Sequence, residues 1–254
     1  MAYLEILQSY NLTVLQWIAI GFAVFLLGLS KSGIKGIGII IVVILAFVFG
    51  EKASTGILLP MLICADVFAV IFYNRHAQWH IIKKLIPWMI VGVLVGVWFG
   101  NDVSEILFKR IMAIIIIVSV LIMFYTEKRK STAIPNNKIF SSSAGFLAGF
   151  TTMVGNLAGP ISNIYFLATR LPKNEFIGTA AWLFFIINVF KLPFHFFVWK
   201  TVTKETLILN SALIPAVFLG FFLGAYLVKL ISNVNYRRFI LIVTAIGGVV
   251  MLFR

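Results

Sequence analysis

Charge is scarce in this chain, and acidic charge scarcest. Of 254 residues only 11% are Asp, Glu, Lys or Arg, and eight are acidic against 21 basic. A soluble domain of this length carries about a quarter charged residues, so the composition excludes an ordinary soluble fold. Cysteine is nearly missing: Cys64 stands alone in an apolar run, and no internal disulfide can form. Enzyme signatures are missing too. There is no H-E-x-x-H, no G-x-S-x-G, no pair of aspartates within apolar segments and no P-loop, which argues against an enzyme, including an ATPase. A TVGYG-like ion filter is also lacking. His76, His80 and His195 are scattered and make no metal site, and nothing in the chain calls for a cofactor.

What is present is long apolar sequence. The chain is 61% hydrophobic with a mean hydropathy of +1.06. Its apolar runs lack the period-two alternation of barrel strands, so the fold class is an all-α polytopic membrane protein. The N-terminal MAYLEILQSYNLT has no basic stretch ahead of an apolar one and is expected to stay in the mature chain. The formal net charge of +13 would suggest nucleic acid in a soluble protein. Here Lys and Arg fall mostly between apolar segments, as expected for a basic cytoplasmic rim facing anionic lipid. The expected setting is the cell (inner) membrane, crossed several times, with membrane lipid as a partner and no nucleic acid.

A repeat is visible by position. Gly33 and Gly155, Gly56 and Gly178, and Asp66 and Asn188 are each 122 apart. Beyond the connector the offset becomes 128, joining Pro87 to Pro215, Gly92 to Gly220, Gly96 to Gly224 and Lys109-Arg110 to Arg237-Arg238. Two constant offsets around one gap indicate a duplicated unit: residues 1–125, a polar linker 126–138, and residues 139–254.

Each half opens with an interrupted apolar segment. SKSGIKG (30–36) splits the first and TTMVGNLAGP (151–160) the second. Gly and Pro at membrane depth free backbone groups, so such breaks must be buried or line a cavity. Matching interruptions in two halves are the best sequence pointer to a transporter site. If both arms of each break cross, there are ten segments, and twelve Lys and Arg collect on one side against six on the other. With one crossing per broken segment the same count is ten against eight. The bias favours ten segments and an inverted repeat, with re-entrant hairpins as the alternative, since arms of 14 or fewer residues are short for a span of about 20.

Helix N-termini suit anions, and second arms starting after Gly36 and after Pro160 would aim two of them at mid-membrane. Ser30, Ser32, Thr151, Thr152 and Asn156 would add hydroxyl and amide donors, and Lys31 and Lys35 positive charge. Asp66 is the acidic residue that falls within an apolar run, TGILLPMLICADVFAVIFY (55–73). A carboxylate at a helix centre costs about 3 kcal/mol in the membrane, so Asp66 is expected to pair with Lys31 or Lys191 and to carry a proton or gate a pathway. Lys191 lies three residues after Asn188, and Pro193 should kink that helix. Gly92, Gly96, Gly220 and Gly224 have the spacing of a helix-packing face. His195 is expected near the membrane face.

GLSKSGIKGIG (28–38), LPMLICADVFAVIFYNRHAQW (59–79) and the stretch from Gly149 to Pro193 resemble the TauE/SafE family of sulfite exporter-like permeases. Gly178-Thr179, Trp79 and Gly92/Gly96 stand where that family has a Gly-Thr, a connector Trp and a Gly-x-x-x-Gly helix. The likeness covers nearly the whole chain. It departs at the first break, where many members have three consecutive glycines and this chain has Ser32-Gly33-Ile34-Lys35-Gly36, and at Thr55-Gly56, where Gly-Thr is common. The resemblance implies transport of sulfite, a sulfonate or a related small organosulfur anion. The expected substrate contacts are Ser30, Lys31, Ser32, Gly33, Lys35, Thr151, Thr152, Asn156, Asn188 and Lys191, with Asp66 coupling or gating. A passive anion channel and a membrane scaffold subunit without transport are the rival readings. Oligomeric state is left open, a dimer being one option.

Overall fold

The computed structural model describes residues 2–101, 138–169 and 171–232, together with the isolated positions 103, 104, 106, 107, 110, 114, 118, 235 and 236. The linker up to residue 137 and most of the last apolar run of each half lie outside the described residues. So do Lys109, Arg237 and Arg238, on which one repeat match rests. Lys138, read as the end of the linker, is already helical.

The described elements are all helical. A short α1 (Ala2–Ser9) precedes α2 (Val14–Lys31), α3 (Gly38–Phe49), α4 (Glu51–Tyr73) and α5 (Trp79–Asn101). The second half gives α6 (Lys138–Gly155), α7 (Ala158–Ala168), α8 (Lys173–Pro193) and α9 (Lys204–Leu230). Local sequence sets the ends. Thr13 caps α2 in a capping box with Gln16, and Thr203 caps α9 with Thr206. Gly50 alone joins α3 to α4 at φ +84°, a left-handed turn that favours glycine. Beyond Pro193, α8 continues as a π-helical turn over Phe194–Val198, the local rewinding expected where proline removes a donor. Among the described residues five helices are long and apolar enough to cross a membrane: α2, α4, α5, α8 with its π turn, and α9. The chain is a multi-pass membrane protein.

Helix directions follow from contacts between named positions. Along α2 and α9, Phe25 meets Gly220, Leu29 meets Gly224 and Gly33 meets Val228, so the two run parallel. Phe68 meets Phe218 edge-on and Phe72 meets Phe221 in the same way, so α4 also runs with α9. On the other side Leu85 meets Gly145, Met89 meets Gly149 and Gly96 meets Met153, so α5 and α6 are parallel. Gly56 against Thr201, Asp66 against Asn188 and Tyr73 against Gly178 make α4 and α8 antiparallel. Trp79 against Trp182 and Val97 against Trp199 set α5 parallel to α8 and its π turn, so among the described helices α2, α4 and α5 run opposite to α6, α8 and α9 respectively, their positional counterparts.

The contacts come in matched couples. Gly28 packs on Val217 as Gly149 packs on Met89, and Gly92 on Phe146 as Gly220 on Phe25. In each case a Cβ would strike backbone, which is the close approach that small-xxx-small spacing permits. These couples set the offset between α2 and α6 at 121, one less than at the breaks. Because α2 and α4 point the same way, the segment between them must turn back, and the first break is a hairpin. With 12 and 11 residues, the return arms α3 and α7 reach only about 18 and 16 Å against a hydrocarbon core of about 30 Å. That favours re-entrant arms over the ten full crossings that loop charge favoured.

Candidate functional site

The two breaks differ in construction. The first is an open turn, Ser32 to Ile37, which needs glycine at Gly33 (φ +127°) and Gly36 (φ +103°). Its freed carbonyls are capped by tyrosines: Tyr73 Oη donates to Ser32 O at 2.9 Å and Tyr236 Oη to Gly33 O at 2.6 Å. The second is much tighter than its sequence suggested, two residues only, with Asn156 in the left-handed region at φ +56°. Thr151 Oγ1 donates to Leu157 O, and Asn156 Nδ2 donates across to Thr55 O at 3.0 Å. Both breaks are thus largely buried and these freed groups are satisfied by protein, as membrane depth requires.

Three buried lysines and one carboxylate meet between them. Lys31, the last residue of α2, donates to Asp66 Oδ1 at 2.6 Å, and Asn188 Nδ2 donates to Asp66 Oδ2 at 2.7 Å. Asp66 is fully buried and both its oxygens are held. Lys191, also fully buried, turns elsewhere. Its ammonium donates to Thr152 O (2.9 Å), Thr152 Oγ1 (3.0 Å) and Asn156 Oδ1 (2.7 Å). Of the two partners expected for Asp66, Lys31 is the one in contact.

A cavity of about 80 Å³ opens beside this network, walled by Ser30, Lys31, Lys35, Asn156 and Asn163 among apolar side chains of α2, α3, α4 and α8. That is room for several water-sized groups. The starts of both return arms, Gly38 with Ile39 and Gly159 with Pro160, face it. Pro160 sits in the first turn of α7, where its missing N–H costs nothing. The Lys31 and Lys35 ammoniums lie 5.0 and 5.8 Å from the centre of the Phe184 ring, within cation–π range. Lys35 is 5% exposed and has no hydrogen-bond or ion-pair partner among the described residues. A buried amine that faces a cavity with no carboxylate in contact is a place where an anion can supply the missing partner.

The expected residues divide accordingly. Ser30, Lys31, Lys35 and Asn156 line the cavity. Ser32 bonds back to Leu29 O and packs on Gly224, while Gly33 packs on Ile177. Thr151 closes its own turn, Thr152 receives Lys191, and Asn188 holds Asp66. His195, expected near the membrane face, is buried within the protein, with Nδ1 2.8 Å from Thr201 Oγ1 and its ring edge-on to Trp199. Phe184 and Asn163 were missed: an apolar residue among apolar neighbours and an amide one turn into an ordinary helix carry no signal of a cavity.

A family model described as sulfite exporter TauE/SafE matches residues 18–251, nearly the whole chain. No curated protein and no solved structure matches it.

Proposed function

The chain belongs to the sulfite exporter TauE/SafE family, and from that premise we propose that it carries a small sulfur-containing anion, sulfite or a compact sulfonate, across the cell (inner) membrane. The observation that carries the reading is the Lys35 ammonium, buried and without an acidic partner at a cavity wall that also holds Lys31. Neutral donors support it: Ser30, and the N-terminal turns of α3 and α7. The opposed directions of matching helices support an inverted duplication, in which rocking of one half against the other exposes a central site to each side in turn. Asp66 is the gate or proton carrier. An incoming anion competes with it for Lys31, and protonation of Asp66 would release Lys31 to the anion.

The test is uptake of radiolabelled sulfite into proteoliposomes of the purified protein, with and without a pH gradient. Saturable flux that accelerates with the gradient in wild type, and loses that acceleration in Asp66→Asn while still binding sulfite, is the expected result. Flux that never saturates would point to a passive channel. Full pH coupling in Asp66→Asn would remove Asp66 from the mechanism.

A further inference from the structure

Lys191 has a geometry that anion binding does not explain. It lies outside the cavity wall, is fully buried, and all three of its N–H donors end on oxygens of one short stretch: a carbonyl, a hydroxyl and an amide oxygen from Thr152 and Asn156. No carboxylate touches it in the described residues. An ammonium has three donors and no acceptor, so this one is saturated by neutral oxygens, as a bound metal cation would be.

The setting is one in which a cation belongs. Thr152 sits in the last turn of α6, where the helix dipole presents its negative end. Unwound carbonyls and half-helix C-termini are where transporters built from broken helices coordinate their coupling cation. The two halves also solve the problem differently. At the first break the cation comes from the breaking helix, as Lys31 reaches Asp66 on α4. At the second, the positional counterpart of Lys31 is Thr152 and that of Asp66 is Asn188, so this half has neither charge of its own. Lys191 enters from α8 instead, where its own counterpart in the first half is Ala69.

We propose that the oxygens of Thr152 and Asn156 form a cation site filled permanently by the chain's own Lys191 ammonium. A tethered cation cannot dissociate, so the transport cycle takes no sodium or potassium there. That consequence for flux rests on the transport reading above; the site itself does not.

The test measures thermal unfolding of the purified full chain in choline, sodium and potassium chloride at equal ionic strength. Wild type should unfold at one temperature in all three. Lys191→Ala, which empties the site while leaving its oxygens, should unfold lower in choline. Sodium or potassium should then raise it saturably, by about 5–10 °C at a hundredfold excess over Kd. Lys191→Met keeps the stem in place and should be lowered without rescue. If the alanine variant does not fold, Lys191→Ser carries the same arm. A Lys191→Ala or Lys191→Ser protein indifferent to cation identity overturns the proposal, as does a saturable sodium or potassium effect on wild type. Sulfite flux of wild type in choline medium should equal that in sodium. Absence of flux in every medium would refute the transport reading and leave the unfolding result standing.

Discussion

The Lys31–Asp66 pair allows a sharp energetic test, because each partner has a different fate when the other is removed. Lys31→Met leaves a fully buried carboxylate with only the Asn188 amide. Orphaning a buried charge in this way costs about 3–5 kcal/mol. At 2–4 °C per kcal/mol for a chain of this size, the unfolding temperature should fall by roughly 6–20 °C. Asp66→Asn is milder, since Lys31 already borders the cavity and the Phe184 ring and can turn toward water there; about 1–3 kcal/mol is expected. The double variant Lys31→Met/Asp66→Asn removes both charges and should recover most of the loss, because an apolar replacement of a buried pair is often neutral. The singles should therefore be non-additive by about 2 kcal/mol or more, well above the 0.3–0.5 kcal/mol seen for independent sites. Helical circular dichroism during thermal unfolding in detergent provides the readout. Additivity of the two singles would show that the pair does not hold the first break to α4, and the gating role built on it would fall as well.

Two further outcomes follow from packing and charge. Gly92→Ala and Gly220→Ala should each cost about 1–3 kcal/mol and by similar amounts, because both Cβ atoms run into backbone at matching crossings. Gly21→Ala, with open space at its Cβ, should be neutral or stabilising by up to about 1 kcal/mol; comparing the three unfolding temperatures decides whether the close crossings are matched. Lys35→Gln should leave stability unchanged or raised, since it removes a buried charge without a partner, yet weaken sulfite binding at least about tenfold. Sulfite protection against unfolding measures both, and retained protection would move the anion away from Lys35.

The architecture was legible where spacing encodes contact. Gly92, Gly96, Gly220 and Gly224 can be read as a packing face because a missing side chain matters only where another backbone comes close, and those positions do meet α6 and α2. The breaks were legible because Gly33 and Gly36 need backbone angles that other residues resist. The length of the second break was not. Thr151 to Gly155 looks irregular beside the glycine-rich first break, yet it continues α6, since Thr and Met are tolerated in a helix and only Asn156 takes a left-handed turn. Loop charge leaves segment number open for a related reason: charge reports which side a loop faces and says nothing about how far a short arm reaches.

For the charged network, residue type identified the members and left their pairing open. Asp66, Lys31 and Lys191 stand out because lipid depth makes each costly alone, and that argument treats both lysines alike. What separates them is the repeat itself. A strictly symmetric protein would place equal charge at both breaks, and here the first half has Lys31 and Asp66 where the second has Thr152 and Asn188. The second break has no carboxylate where the first has Asp66, so Lys191 from α8 meets only neutral oxygens there and is held by Thr152 and Asn156. The first half is left with Lys35, a buried amine that has no contact with the carboxylate that Lys31 engages. The two breaks therefore differ in what they hold: the second is closed on Lys191 by Thr152 and Asn156, while the first keeps Lys35 at a cavity wall, which is where the proposed anion would enter.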